Sequence, residues 1–203
     1  MKSHAKLHAK TPRLAMLLTA VALFSLGQAS RAATLVADYA RDVKAPAASA
    51  AAGWTYWYAA GGDMTKKVSF DTGWTGTSYL IHDPAWSGLY AGGTDFQGVV
   101  IPGLNPYWVV ARWTASVDAT PLTVAGTIKT GSTSVSDLDF YIRLNGTEVY
   151  ALKMAKAVAN TFPYAVTLPT VKKGDTIDLM FRAEGSNDNS NLKVEATFIA
   201  VKS

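Results

Sequence analysis

Aromatic side chains in glycine-rich segments are the residues of this sequence best suited to bind a ligand. All six tryptophans fall between Trp54 and Trp113, in a stretch that is also rich in glycine. The apolar face of a pyranose ring stacks on tryptophan or tyrosine, while polar groups at the rim bond to its hydroxyls. This composition predicts a glycan site built on aromatic platforms.

Some of these aromatics are expected in the core. Trp113 alternates with Val109 and Ala111, a pattern typical of a strand face that packs inward. Trp57 and Trp108 each neighbour a core aromatic and should face the other side of their strands, whereas three further rings stand among glycine and serine. The candidate ligand-binding residues are Trp57, Trp74, Trp86, Tyr90 and Trp108. Trp74, Trp86 and Tyr90 could instead only pack down their own loops, and Trp57 and Trp108 belong to the site if they are exposed.

The sequence contains few residues that could act as a catalytic base, acid or nucleophile. His82 is the one histidine beyond the first ten residues, and a triad could be assembled only from Ser78 or Ser87 with His82 and Asp83. Neither serine lies in a nucleophile elbow. A glycosidase needs two carboxylates across a cleft, and the sequence offers three glutamates and the aspartates of the aromatic half: Glu148, Glu184, Glu195, Asp63, Asp71, Asp83 and Asp95. We predict that the protein is not an enzyme.

Metal and redox chemistry are limited by composition. The chain contains no cysteine, which excludes disulfide scaffolds, Cys-zinc sites and iron–sulfur clusters. Calcium prefers six to eight oxygen ligands, and two segments are rich in oxygen: Asp137 with Asp139, and Asn187 to Asn191. No cofactor is expected, and a structural calcium ion stays open.

The first 32 residues have the pattern of a signal peptide. Four basic residues precede the uncharged segment Leu14 to Leu26, and Ser30-Arg31-Ala32 provides small residues for cleavage. We expect residues 1–32 to be a signal peptide and residues 33–203 to be one domain. Cleavage after Ala29 is an alternative, as is an uncleaved anchor or arm. The apolar segment is too short for a membrane span.

Removing this segment changes the charge of the protein. It contains five of the 19 lysines and arginines and none of the 15 acids, so the rest of the chain is close to neutral. Without a basic cluster, binding to nucleic acid has no electrostatic basis. We expect a secreted protein, periplasmic or extracellular, whose oligomeric state the sequence leaves open.

Alternation of apolar and polar residues indicates strands through most of the chain. Asn145-Gly146 joins two such runs and predicts a type I′ hairpin. Ala45 to Ala52 could form one turn of helix, but Pro46 and Gly53 bound it, and we interpret it as a linker between strands. Strands are predicted at Leu122–Ile128, Phe140–Leu144, Thr147–Leu152, Tyr164–Leu168, Thr176–Arg182 and Lys193–Val201. Short strands with regular turns favour an all-β fold, a single antiparallel, jelly-roll-like β-sandwich.

Four segments carry a family resemblance. They are Val36–Tyr39 with Gly53–Tyr56, Ile101–Gly103 with Val109–Ala115, Leu144–Val149, and Val171–Leu179 with Gly185–Asn191. With these segments the chain resembles secreted bacterial β-sandwich domains of the carbohydrate-binding-module or galactose-binding type. Ile101 stands where relatives have a histidine, so no role of that histidine is carried over. The resemblance implies a β-sandwich and binding of a polysaccharide or glycan.

Two functions are therefore expected to compete. The first is non-catalytic glycan binding through loop aromatics, with a concave slot, one or two tryptophan faces and a polar rim. The alternative is a structural or adhesive matrix protein that associates with itself or another protein through its aromatic half. A large exposed apolar patch would favour that alternative.

Overall fold

The structure is a computed structural model, and it describes residues 32–81, 87–91, 98–102, 106–130, 136–156, 159–185 and 191–201. The chain divides into two units, residues 1–31 and 32–203, and the description below concerns the second. The predicted signal peptide lies almost wholly outside the described residues, and its removal stays a prediction.

The described residues form thirteen strands and two short helices. The helices are α1 (Tyr39–Asp42) and α2 (Pro46–Ala51), and 3-10 turns span Met64–Lys66 and Asp71–Gly73. The strands are β1 (Ala33–Asp38), β2 (Trp54–Ala60), β3 (Lys67–Ser69), β4 (Ser78–Ile81), β5 (Ser87–Tyr90), β6 (Val99–Ile101), β7 (Tyr107–Thr114), β8 (Leu122–Thr130), β9 (Leu138–Leu144), β10 (Thr147–Met154), β11 (Thr161–Leu168), β12 (Thr176–Ala183) and β13 (Leu192–Val201). No helix among the described residues is long and apolar enough to cross a bilayer.

The strands form two sheets in which neighbouring strands are antiparallel. One sheet has the order β11-β8-β13-β6-β5-β4, with β1 also paired to β13, and the other has the order β10-β9-β12-β7-β2-β3. The chain passes from one sheet to the other eight times among the described strands: between β1 and β2, β3 and β4, β6 and β7, β7 and β8, β8 and β9, β10 and β11, β11 and β12, and β12 and β13. The predicted antiparallel β-sandwich is confirmed.

The main core lies between the two sheets and is rich in aromatic rings. Phe198 of β13 contacts Trp54 and Trp113 of the opposite sheet, with ring centroids 5.5 and 5.0 Å apart. Phe140 of β9 similarly meets Tyr164 of β11 at 5.1 Å. Trp113 is buried, as its alternation with Val109 and Ala111 predicts.

The predicted hairpin between β9 and β10 is confirmed. Asn145 has φ 50° and Gly146 has φ 83°, the left-handed values that a type I′ turn requires at both central residues. The Asn145 side chain accepts a hydrogen bond from the Thr176 N–H at 2.9 Å and donates one to the Asp175 carboxylate at 3.0 Å. The turn is thereby tied to the start of β12.

The linker interpretation of Ala45 to Ala52 was wrong, because Pro46–Ala51 forms α2. Proline is favoured in the first turn of a helix, and alanine has the highest helix propensity. Buried Ser49 anchors this short helix: its hydroxyl accepts the Lys44 N–H at 2.9 Å and the Tyr56 hydroxyl at 3.4 Å. Tertiary contacts from β2 therefore stabilise a helix whose length alone would not.

Candidate functional site

The outer face of the six-stranded sheet brings together aromatic rings from separate strands. Paired residues of neighbouring strands point to the same side of a sheet. Trp57 pairs with Val110, and Met180 pairs with both Val110 and Tyr141. These residues therefore form one row across β2, β7, β12 and β9, on the side away from the main core.

A second apolar cluster covers this face, and we call it the outer cluster. It consists of Trp57, Ala59, Met64, Trp108, Val110, Tyr141 and Met180. Ala59, Val110 and Met180 are fully buried, and Trp108 is 8% exposed. Trp57 and Tyr141 are half-buried, so they are the two rings of the cluster that reach the surface.

Trp108 is buried because a glycine turn after β2 lies against it. Gly61 and Gly62 have φ of 61° and 70°, and a Cβ at Gly62 would come within 3.2 Å of the Trp108 ring and 3.4 Å of Met180. Arg143 holds this turn, since its Nη1 donates to the Gly62 carbonyl at 3.0 Å. On its other side Trp108 meets the Tyr141 ring, with centroids 5.0 Å apart.

Acidic and basic side chains of the outer face lie at different depths. Asp178 and Asp139 are almost completely buried, although both point away from the main core. Arg112 donates two hydrogen bonds to Asp178, at 2.6 and 2.8 Å, and Arg182 binds Asp139. The bond to Asp178 raises the pKa of the Arg112 guanidinium above its usual value. The carboxylates are thus neutralised beneath a layer of guanidinium groups.

Two further cations border the outer cluster. The Lys67 ammonium lies over the Trp57 ring, 4.3 Å from its centroid, and the Trp57 Nε1–H donates to the Thr55 hydroxyl at 3.0 Å. The Arg143 guanidinium carbon lies 5.9 Å from the centroid of Trp108. Within the described part of the chain, neither Lys67 nor Arg143 forms an ion pair.

The structure divides the predicted ligand-binding residues between the two sheets. Trp57 and Trp108 lie together in the outer cluster. Trp74 bridges to Tyr79 of β4 and packs on the main core, with ring centroids 4.7 Å apart. Tyr90 ends β5 opposite Ser78, so it faces away from the core residue Tyr79. Trp86 lies outside the described residues, so its role as a site residue stays a prediction.

Sequence reasoning missed Tyr141, Lys67 and Arg143. Tyr141 and Arg143 alternate with the core residues of β9, and this alternation places them on the outer face. That signal is present in the sequence, but it lies outside the tryptophan-rich half in which composition predicts the platforms. Nothing in the sequence indicated that Lys67 lies over Trp57, because β3 is only three residues long.

The described residues do not bring together the side chains that the catalytic alternatives require. Glu148, Glu184 and Glu195 are exposed on separate elements, and His82 and Asp83 lie outside the described residues. Three or more metal-ligating side chains do not converge anywhere in the described ranges. For calcium, Asp139 is engaged by Arg182, and Asp137 accepts the Lys156 N–H at 2.8 Å. Most of the segment Asn187–Asn191 is not described.

A shallow hollow on the other sheet is a second candidate binding site. It has a volume of about 360 Å³ between the end of β8 and the start of β11. Its lining contains no aromatic ring: Lys129, Thr130, Ala159, Asn160 and Thr161. It therefore lacks the stacking surface that a sugar ring needs.

Several solved structures are similar to this chain. A CBM36-1 domain of a multidomain xylanase from the hindgut metagenome of Trinervitermes trinervoides has 11% identity and a TM-score of 0.41, over 58% of this chain and 87% of that domain. CBM51 from Clostridium perfringens GH95, solved with methyl-galactose, has 9% identity and a TM-score of 0.38, over 61% of this chain and 92% of that one.

Another similar structure, from Clostridium perfringens ZmpB, contains CBM51-2 with GlcNAc and INT domains. It has 8% identity and a TM-score of 0.40; the match covers 62% of this chain and 29% of that one. No protein-family model matches the sequence, and no curated protein matches it. Similarities of this size identify neither a family nor a ligand for the chain.

Proposed function

We propose that this protein is a non-catalytic glycan-binding module whose site is the outer face of the six-stranded sheet. Trp57 and Tyr141 are the stacking residues. The observation that carries the proposal is their placement: two partly exposed rings stand in one row across four strands. Strands hold side chains more precisely than loops do, which favours a preformed site.

The spacing of the two rings fits an extended ligand. Trp57 and Tyr141 are separated by three strand intervals, which corresponds to about 14 Å between their backbones. A short oligosaccharide that contacts both rings would place separate sugar units over them and pass the Gly61–Gly62 turn, which lies against Met180 between them. Binding by such stacking is modest, and we expect dissociation constants of about 1 mM to 1 μM, or roughly −4 to −8 kcal/mol.

The carboxylates near the rings support a non-catalytic role. A glycosidase needs one carboxyl group as an acid and another as a nucleophile or base. Asp178 accepts two hydrogen bonds from Arg112, and Asp139 is bound by Arg182. Both carboxylates are buried beneath the surface that a sugar would contact.

The matrix or adhesion alternative gains no support from the described surface. The large apolar residues that are strongly exposed there are Leu35 on β1, Val68 on β3, Val117 after β7 and Val149 on β10. They stand on separate elements of both sheets. We therefore do not propose self-association through an apolar face.

A glycan array followed by titration calorimetry tests the proposal. We expect Trp57→Ala and Tyr141→Ala each to weaken binding by at least about tenfold, since a stacked ring contributes on the order of 1.5 kcal/mol or more. Tyr90→Ala is the matched control, because it removes an aromatic ring from the other sheet. Loss of binding only in Tyr90→Ala would place the site on the other sheet. If the folded protein bound no glycan on the array, glycan binding would be refuted.

A further inference from the structure

We propose that the ligand of this site is an acidic glycan, with carboxylate or sulfate groups that Lys67 and Arg143 bind. This inference rests on the proposed glycan site and adds the class of sugar. It follows from three observations: the position of the Lys67 ammonium, the absence of an ion pair at Arg143 among the described residues, and the depth at which Asp139 and Asp178 lie.

Lys67 occupies the place that a stacked sugar would take. Its ammonium lies 4.3 Å from the centroid of the Trp57 ring, so one face of that ring is in a cation–π contact. A neutral sugar that stacks on this face loses the contact and gains no partner for the ammonium. A sugar with an anionic substituent gives the displaced ammonium a counter-ion, so the cation favours acidic ligands.

Most N–H donors of the Arg143 guanidinium form no hydrogen bond among the described residues. Its Nη1 is bonded to the Gly62 carbonyl, and no other hydrogen bond of this guanidinium occurs among the described residues. Its neighbours across the strands are Asp178 and Glu148; Asp178 already accepts two bonds from Arg112, and Glu148 is exposed. Guanidinium groups bind carboxylate and sulfate oxygens through paired donors, so Arg143 is suited to an anion.

The backbones of the two cations lie on opposite sides of the row of rings. Lys67 pairs with Ala59, which pairs with Trp108, in the row on one side of Trp57. Arg143 pairs with Asp178 in the row on the other side, and its guanidinium reaches from there to the Gly62 carbonyl and the Trp108 ring. A glycan that contacts both rings would therefore pass close to both cations, and repeated anionic groups along its chain would meet each of them.

The depth of two of the acids completes the argument. Asp139 and Asp178 are at most 1% exposed, whereas the side chains of Arg182 and Arg112 above them are 24% and 18% exposed. The exposed acid beside them, Glu184, is already bonded to Arg182 and Lys153. A ligand on this face meets Arg112 and Arg182 before it meets the two buried carboxylates.

The test compares matched glycans on the full domain. The probes are a polyuronate and its carboxyl-reduced form, and a sulfated glycan with its desulfated backbone. We expect the acidic member of at least one pair to bind at least tenfold more tightly. The pair that shows the preference identifies the anionic group as carboxylate or sulfate. Moderate salt concentrations should reduce the preference for the acidic glycan.

Variants make the test specific. Lys67→Met should weaken acidic-glycan binding about fivefold and strengthen neutral-glycan binding two- to fivefold, because it frees the Trp57 ring. Arg143→Gln keeps a donor for Gly62 and should also weaken only acidic ligands, about fivefold. Lys129→Gln is the control: this exposed lysine of β8 lies on the other sheet and should have no effect.

The outcomes separate the two proposals. Equal binding of acidic and neutral glycans, still lost in Trp57→Ala, would overturn the acidic class and leave the glycan site standing. An equal loss in Lys67→Met and Lys129→Gln would show general charge attraction and would also overturn it. A folded protein that binds none of the four probes and no array glycan would refute both proposals.

Discussion

Asp42 is an acid whose surroundings stabilise its charged form. Arg41 donates to it at 2.7 and 3.1 Å, and the Asp38 N–H donates at 2.9 Å. Burial raises the pKa of this carboxyl group, but the bonds from Arg41 and from the Asp38 backbone outweigh burial, so the pKa lies below its usual value. The carboxylate thereby fixes the turn in which β1 becomes α1.

This pKa shift predicts the direction of a pH dependence. Because the folded-state pKa of Asp42 is below the unfolded value of about 3.9, its contribution to stability is complete above that value and is lost as the pH falls through the folded pKa. We expect the guanidinium chloride concentration at the midpoint of unfolding to decrease as the pH is lowered below about 4. This decrease should be less steep in Asp42→Asn than in the unmodified protein. The exposed-acid variant Glu148→Gln should retain the full slope; an unchanged slope in Asp42→Asn would contradict this assignment.

The sequence predicts part of the site at this scale. Alternation places Trp57 and Trp108 on the outer face, since Trp113 and Tyr56 belong in the core. It does not predict that Trp108 is covered, because this depends on the Gly62 turn and on the reach of Arg143 from a distant strand. Trp74, among glycines and threonines, is half-buried and packs on Tyr79 of the other sheet; composition does not distinguish these outcomes.

At the scale of elements, two glycines give contrasting tests of strand packing. A Cβ at Gly126 of β8 would collide with the backbone carbonyl of Glu195 in β13, whereas a Cβ at Gly146 would meet nothing within 4 Å. Gly126 therefore sets the close approach of β8 to β13. Gly146 serves only the backbone conformation of its turn.

We expect Gly126→Ala to destabilise the fold by about 3 kcal/mol, through overpacking between two central strands. Gly146→Ala should cost about 1 kcal/mol, because alanine disfavours a positive φ. Chemical unfolding of both variants measures the difference. Costs of equal size would show that β8 and β13 separate easily and would contradict the close approach.

The individual strands were easier to predict than the order in which they pair within the sheets. β8, β9, β12 and β13 follow from period-two alternation, because one face of each strand lies in the core. The placement of β12 between β9 and β7 does not follow, since it depends on contacts between segments far apart in the chain. The helix α2 was missed because its stability comes from Ser49 and Tyr56, which a local pattern does not reveal.

At the scale of the whole molecule, we propose that residues 1–32 are a signal peptide and that the remaining chain is exported. Ala33 is the first residue of β1 and pairs with Val201 at the end of β13. Cleavage after Ala32 would leave this pair intact. Intact-mass measurement of the exported protein should give a chain that begins at Ala33. A chain that begins at Ser30 would indicate cleavage after Ala29, and one that retains Met1 would refute processing.

The place of β13 in its sheet has a consequence for biosynthesis. This strand spans Leu192–Val201 and pairs with β8, β6 and β1, so the last of the described strands to leave the ribosome joins parts of the sheet made much earlier. Before β13 emerges, β1 lacks its partner strand, and β8 and β6 are not joined. The sandwich is therefore completed only once β13 has been made, and until then the domain stays accessible to a translocation channel that accepts only unfolded polypeptide.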